Sequence, residues 1–476
     1  MNGVQSNLSL YKETNFNWVH STLLNDRIDA KNYKVEYLEL QRKIISQTYI
    51  RLRDVIEDIK NGFEVNRSYS DVGLKFLTVK DLKEFEINYS DIKKIDLHFR
   101  DIPEKGRLKE GDIIITRSGS IGIAKTITNN DEDIVISSHI IKLRVNNKID
   151  RDYLTTYLNS DTGRKLIEQL SYGAVIKEIG QEELLDLLIP IPSPEIQKYI
   201  GDKVRKAEEL REEAKRLKKE AEEILNRELN LNKLEESLKS SINSKHNWIT
   251  SMDINDRIDS YYYKRRYILV NQHLNDYECI QIRDIASVDY GYMPTEDYAD
   301  ENNGVPLIRV TNMIGNLLLD LSDLKYISKS INIPDDKYVD DGDILVVQCG
   351  NTTGKIALMT KEVENYLYPS FCLRIKLRNK SINNKYLALL MEMSIIQEQI
   401  WQSASYSSVR PNTTKPAIEN IRIPLIEKQK QEDVGALVEK YIDNIYQSKQ
   451  LILEAKQDVE DLIEGNFDMS KVKANS

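Results

Sequence analysis

Asn17-Trp18-Val19-His20-Ser21, followed by Asn25-Asp26-Arg27-Ile28-Asp29, returns as Asn247-Trp248-Ile249-Thr250-Ser251, followed by Asn255-Asp256-Arg257-Ile258-Asp259. The offset is 230 residues throughout (Trp18 to Trp248, Arg27 to Arg257). Outward from this leader, Tyr33-Lys34 meets Tyr263-Lys264 and Arg53-Asp54 meets Arg283-Asp284 at the same offset. Farther along, Gly111-Asp112-Ile113 pairs with Gly342-Asp343-Ile344, Ser171-Tyr172 with Ser405-Tyr406, and Ile189-Pro190 with Ile423-Pro424. The offset drifts slightly, and only in loop-like stretches where insertions are tolerated. Order kept over this length identifies a tandem duplication of one large unit, far too long for a solenoid repeat.

Each copy follows one plan. After the leader come short β-type runs: Leu74 to Val79, Asp112 to Thr116, Ile134 to Ile136 and Ile140 to Val145. The second copy offers Pro306 to Val310, Asp343 to Val347 and Phe371 to Leu377. Turn signals bound them, among them Lys60-Asn61-Gly62, Glu110-Gly111-Asp112 and Asp341-Gly342-Asp343. Helical patterns follow over Tyr153 to Leu170 and Lys385 to Gln402. A proline exit (Pro190, Pro192, Pro194; Pro424 in the second copy) then opens a long helix, since proline is tolerated in a first helical turn.

The long helices carry the clearest pattern. Leu210, Leu217, Ile224, Leu231 and Leu238 recur every seventh residue, with Ala207, Ala214 and Ala221 three residues ahead. Val438, Ile445, Ile452 and Val459 form one register in the second copy, and Tyr441, Ser448, Ala455 and Leu462 the other. These are a/d seams in a Lys/Glu-rich background. A helix from Glu195 to Ser240 would run about 65–70 Å. So narrow a stripe needs a partner, and the other helix of the same chain is present at high effective concentration. The alternative is two independent tails that homodimerise. The predicted boundaries are 1–192 for the first globular domain, 193–243 for the first helix, 244–426 for the second domain and 427–476 for the second helix.

Of the 476 residues, 40% are hydrophobic and 30% charged, which suits globular domains with exposed helix. No apolar run is long enough to span a membrane; the best, Leu184 to Pro192, contains Asp186. No basic start followed by an apolar block marks a secretory signal, so a cytoplasmic location is expected. Three cysteines (Cys279, Cys349, Cys372) have neither paired nor metal-type spacing. The net charge of -9 argues against a wholesale basic coat, yet DNA affinity depends on local Lys/Arg patches.

Catalytic signatures are missing. The five histidines form no ligand pair, and His139 meets Phe371 in the other copy, so a packed or hydrogen-bonded ring is expected there. Gly350-Asn351-Thr352-Thr353-Gly354-Lys355-Ile356 imitates a phosphate loop. Its spacer is one residue short, and Ile356 stands where a Ser/Thr must hold Mg²⁺. A Gly-rich turn between strands is the expected structure. No amino-methyltransferase signature and no Gly-rich βαβ opening occur.

With its Arg-Ile-Asp plus tyrosine leaders (Arg27-Ile28-Asp29 with Tyr33, Arg257-Ile258-Asp259 with Tyr261), Gly-Asp-Ile strands and Ile-Pro exits, the chain resembles the specificity subunit of a type I restriction–modification system. The exits are followed by Glu195-Ile196-Gln197 and Glu427-Lys428-Gln429. The resemblance implies an α+β fold: two β-rich target-recognition domains with pseudo-twofold symmetry, separated by two long helices in an antiparallel coiled coil. It also implies a non-catalytic subunit that reads one half of a bipartite, asymmetric double-stranded DNA target per domain. The implied partners are two modification (methyltransferase) subunits and, optionally, restriction (translocase/nuclease) subunits. No cofactor is expected on this chain; S-adenosylmethionine and ATP belong to partner subunits. The competing reading is a coiled-coil protein adaptor that never binds DNA.

Base readout favours Arg or Lys on guanine and Asn or Gln on adenine. The candidate DNA-binding residues are therefore polar ones where the copies diverge. In copy one they are Asn66, Arg67, Tyr69, Arg117, Ser118, Lys125, Tyr172 and Lys177. In copy two they are Tyr290, Tyr292, Gln348, Asn351, Thr352, Lys355, Arg410, Asn412 and Lys415. Trp18, Arg27, Trp248 and Arg257 recur in both copies, so framework or repeated partner docking is expected of them, with core packing the plainer expectation for the tryptophans.

Overall fold

The computed structural model describes residues 29–65, 69–98, 101–131, 134–173, 176–241, 248–249, 254, 257–378, 381–404 and 411–474. The chain forms two compact units, residues 1–210 with 447–476 and residues 211–446.

In the first unit a four-stranded antiparallel sheet runs in the order Ile56–Asn61, Ile140–Val145, Ile113–Thr116, Ala124–Thr126. The second unit repeats that order as Ala286–Tyr290, Cys372–Leu377, Ile344–Val347, Ile356–Leu358. The inner strands Ile113–Thr116 and Ile344–Val347 are buried at every position because both faces are covered. Ile113 and Ile115 enter the core shared with helices Arg151–Asn159 and Asp161–Leu170, while Ile114 points to a separate cluster with Leu77 and Ile136. Ile344 and Val346 divide from Leu345 and Val347 in the same way.

The units differ beyond that sheet. The first has a further four-stranded sheet, Ile134–Ile136, Leu74–Leu77, Lys93–Ile95, Tyr69–Ser70, with the first pair parallel. The second has two strand pairs in that region, Gly304–Leu307 with Lys325–Ser328 and Met313–Gly315 with Leu318–Leu319. The run expected over Pro306 to Val310 thus ends at Leu307, and Val310–Asn312 is a 3₁₀ turn.

The Gly-Asp-Ile motif has one physical meaning in both copies. Gly111 and Gly342 hold φ +86°, a conformation that glycine adopts without steric cost. The next carboxylate closes the turn: Asp112 Oδ2 accepts from Lys109 N at 2.9 Å, and Asp343 Oδ2 from Asp340 N at 3.0 Å. Isoleucine then begins the buried strand.

The exits also superpose chemically. Leu188–Pro190 pairs with Tyr49–Arg51, and Arg422–Pro424 with Cys279–Gln281. Tyr153 Oη donates to Pro190 O at 2.7 Å, and Tyr386 Oη to Pro424 O at 3.0 Å. Gln197 Nε2 donates to Pro192 O, and Gln431 Nε2 to Ile426 O, both at 3.0 Å. Gln197 therefore corresponds to Gln431; the expected match with Gln429 is two residues out of register.

The first long helix is Pro194–Glu228 and the second Lys428–Glu464. The predicted run to Ser240 is instead interrupted: Asn230 takes φ +49°, and a separate helix, Leu231–Ser241, follows. The seam also slips by one residue, because Leu225 is fully buried and Ile224 only partly. Within the first unit Ile196, Ile200 and Val204 share a core with Ala455, Val459 and Ile463. Lys203 Nζ bridges Asp458 at 2.7 Å and Glu454 at 3.2 Å, and Tyr199 meets Phe467 edge-on. Within the second, Ala214, Leu217, Ala221 and Leu225 pack with Val434, Val438 and Tyr441.

Gly201 and Gly435 face the caps of neighbouring helices. Asp150 Oδ1 accepts from Asp152 N and Tyr153 N, and Asn383 Oδ1 from Lys385 N and Tyr386 N. A methyl group on either glycine would overlap that Oδ1 atom. Gly201→Ala and Gly435→Ala are each expected to cost about 1–3 kcal/mol in urea unfolding.

Burial pushes the Asp343 carboxyl up to about 6, although Asp340 N and Arg374 pull the other way. A folded pKa above the unfolded one gives stability that is fully present below about pH 4 and lost as pH rises through 6. Asp343→Asn keeps the acceptor for Asp340 N. Relative to the parent, it should gain roughly 3 kcal/mol in unfolding free energy between pH 4 and pH 7, measured by urea titration across that range.

Candidate nucleic-acid interface

At one end of each sheet the hydrogen-bond ladder continues past the last strand residue. After Thr116, Arg117 N donates to His139 O at 3.0 Å, and Arg117 O accepts from Ile179 N at 2.9 Å. Gly119 N donates to Lys177 O at 3.0 Å, and Ser118 lies opposite Glu178. Glu178 exchanges two bonds of 2.8 Å with Tyr172. The second unit repeats this path. Gln348 N donates to Phe371 O at 2.8 Å, and Gln348 O accepts from Thr413 N at 2.9 Å. Gly350 N donates to Pro411 O at 3.1 Å, and Cys349 lies opposite Asn412. Gly119 at φ +72° and Gly350 at φ +92° turn the chain into this ledge, with open space where a side chain would stand.

The ledge gathers several predicted residues. In the first unit Arg117, Ser118, Tyr172 and Lys177 come together. Arg117 Nε donates to Ile179 O at 3.3 Å, and its Nη2 lies 3.9 Å from Glu178. Tyr172 is exposed. Lys177 bonds Glu168, whose carboxyl this contact holds below the usual carboxylate range. In the second unit Gln348, Asn351, Thr352, Asn412, Lys415 and Tyr290 come together. Lys415 N donates to Tyr290 Oη at 3.3 Å, and Lys415 Nζ lies 3.7 Å from Asp289 and 3.8 Å from Glu419. Asn351 is exposed and Thr352 partly so. Asn412 Oδ1 is buried and has no hydrogen-bond partner among the described residues.

Other predicted residues lie elsewhere. Lys125 is not on the ledge: it is only 3% exposed, and its ammonium sits 3.1 Å from Asp131 and 3.3 Å from Glu208. Burial alone would push the Asp131 carboxyl up, but Lys125, Tyr89 and Thr128 N more than offset this and hold it below the ordinary range. A lysine so enclosed has no phosphate to reach. Lys355 Nζ is likewise turned inward, donating to Met313 O at 3.0 Å. Tyr69 is exposed on the first unit's other sheet. Tyr292 continues beyond Tyr290 and donates to Glu296, its hydroxyl pushed up to about 12 by burial and that carboxylate. Asn66, Arg67 and Arg410 lie outside the described residues. The phosphate-loop imitation is a strand-to-strand turn, with Thr353 Oγ1 donating to Gly350 O at 2.8 Å.

Sequence reasoning paired His139 with Phe371 but did not count either among the candidate DNA-binding residues. The His139 ring is exposed on the ledge rather than packed, and its counterpart Phe371 is 53% exposed. The repeat offset was the signal that pairs them. Glu178, opposite Ser118 as Asn412 is opposite Cys349, was missed for lack of any local motif.

The leader packs beside the ledge. Gln169 Nε2 donates to Asn32 O at 2.7 Å, and Gln402 Nε2 to Tyr262 O at 3.0 Å. Arg257 is held by its own surroundings: Nε donates to Asp259 at 2.8 Å, Nη1 to Ser403 O at 3.4 Å, and the guanidinium lies 4.7 Å from the Tyr262 ring centre. Trp248, 96% exposed, is not core, and Ile258, ten residues on in the same leader, is exposed too. Trp18 and Arg27 lie outside the described residues. Among the described residues no cluster of His, Cys, Asp or Glu is arranged to hold a metal, and no helix is long and apolar enough to cross a membrane.

A family model described as a type I restriction modification DNA specificity domain matches residues 48–223 and again 274–457. A protein of Methanocaldococcus jannaschii, by name the MjaX type I restriction enzyme specificity subunit, is 28% identical over 156 residues, covering 32% of this chain and 36% of that one. The type I restriction enzyme EcoBI specificity subunit of Escherichia coli is 24% identical over 217 residues, 44% of this chain and 43% of that one. The chain thus aligns with less than half the length of these curated relatives. A solved type I restriction–modification S subunit from M. genitalium aligns over 88% of this chain and 96% of its own, at 14% identity and a TM-score of 0.45.

Lys125→Met leaves Asp131 and Glu208 without their cation in a buried setting. It should lower the unfolding free energy by roughly 3–5 kcal/mol, read from urea denaturation.

Proposed function

The chain belongs to the family of type I restriction modification DNA specificity domains, and we propose that it is a two-headed reader in which each unit takes one half of a bipartite, asymmetric target. In this reading the chain supplies recognition alone. Methyl transfer and cleavage, with S-adenosylmethionine and ATP, reside on modification and restriction subunits docked to it.

The observation that carries the proposal is the repeated ledge: one backbone path, occurring twice, with different side chains each time. Two copies of one frame whose ledges carry different side chains suit two unlike half-sites. The helices Pro194–Glu228 and Lys428–Glu464, each about 50–55 Å long at 1.5 Å per residue, would form the antiparallel coiled coil that sets the gap between half-sites. The buried alanines Ala207, Ala214 and Ala221 support close backbone approach along that seam. The exposed Trp248 and Ile258, in a leader written twice in the sequence, support docking of two modification subunits, one per copy. With a net charge of -9, tight binding to duplex calls on the positive charge of those partners.

Co-expressed with its methyltransferase partner, the chain should carry two partner copies by native mass measurement and bind duplex DNA with strong salt dependence. Replacing residues 405–417 should alter a single half-site in methylation mapping. One partner copy in a saturated, active complex, or changes in both half-sites, overturns the reading. A protein-only adaptor would give no salt-dependent binding at all.

A further inference from the structure

The two ledges can be compared atom for atom because their backbone bonds are the same. Arg117 corresponds to Gln348, since each donates its N–H to the residue opposite and accepts from the segment behind. His139 corresponds to Phe371 as acceptor of that first bond, and Glu178 to Asn412 as the residue facing Ser118 or Cys349. Two residues inward along the same strands, Ile115 corresponds to Val346 and Ile141 to Leu373, and all four are fully buried. That rung keeps apolar chemistry in both copies, while the chemistry changes at each of these outer positions. A purely structural edge has no reason to exchange a cation for an amide, an imidazole for a phenyl and a carboxylate for an amide together.

We infer that Arg117/Gln348, flanked by His139/Phe371 and Glu178/Asn412, are matched specificity-determining positions, each ledge offering a different donor–acceptor face to a base edge in a DNA groove. Arg117 and Gln348 stand at the centre of their ledges. The bond from Arg117 Nε to Ile179 O fixes the guanidinium plane, Glu178 flanks Nη2 at 3.9 Å, and the terminal nitrogens make the fork that suits guanine O6 and N7. The Gln348 carboxamide makes no hydrogen bond among the described residues and offers the donor–acceptor pair that suits adenine N6 and N7. Beside it, the buried Asn412 Oδ1 lacks a hydrogen-bond partner among the described residues, and a buried acceptor left so is costly unless a ligand or water satisfies it. The exposed Phe371 ring offers an apolar contact, the kind that reads a thymine methyl group.

This assignment rests on the chain being a DNA reader, and the test separates the two claims. The full chain in complex with its modification subunit is profiled against a randomised duplex library, as parent, Arg117→Gln and Gln348→Arg. Each variant should change preference by about tenfold or more at one base pair of one half-site, losing guanine in the first case and gaining it in the second. The other half-site should keep the parent profile, which also reports that the variant has folded. An unchanged profile, or a uniform drop in affinity over all sequences, overturns the assignment while the reader stands. A parent complex without any sequence preference removes both.

Discussion

The constraint on which the structure depends is that backbone hydrogen bonds must be completed at a sheet's end. In each unit the middle strand closes on a glycine turn, and its outgoing N–H and C=O groups are taken up by His139 O and Ile179 N, or by Phe371 O and Thr413 N. A buried amide left unpaired is costly, so this path is fixed by the backbone and not by the side chains that ride on it. Gly119 and Gly350 supply the positive φ that starts the turn. The side chains are then free to differ, and they do.

Much of this was legible in the sequence because the same physics was written twice. Gly-Asp-Ile announced a turn, a carboxylate closing it and a buried strand, and the structure places all three in both units. The strands Ile134–Ile136 and Ile140–Val145 begin and end where the β-type runs do. The alanine and leucine stripes identified long helices, since a seam repeating every seventh residue has no use in a strand. What failed was local in another sense. The break at Asn230 and the shift of burial from Ile224 to Leu225 come from packing against the second unit's own core, which no heptad count contains.

Charged side chains were the least legible. Lys125 resembles any surface lysine beside a polar turn, yet it lies on a three-residue strand whose every position is buried. Its partners, Asp131 and Glu208, are near in sequence in one case and on the long helix in the other. Lys142 shows the same economy: a buried lysine whose ammonium donates to the carbonyls of Glu104 and Arg107, with burial pulling its pKa down. At the matching place Arg374 donates to Tyr338 O. A cation inside a β-rich unit is spent on carbonyls that no strand neighbour satisfies, so counting basic residues overstates the charge left for phosphates.

That division reconciles an acidic chain with the recognition proposed for it. Interior lysines and arginines secure the frame, and removing one leaves carbonyls or carboxylates unsatisfied in low dielectric. The ledge groups take part in little of that network: exposed rings at His139, Tyr172, Tyr290 and Phe371, and amides at Gln348 and Asn351. A substitution there removes few packed atoms and few internal bonds, and exposed positions of this kind change stability by only about 0.5 kcal/mol. Stability and the proposed readout are thus held by different atoms of the same sheet. A duplicated frame built this way can let its two outer edges diverge while both inner cores remain apolar.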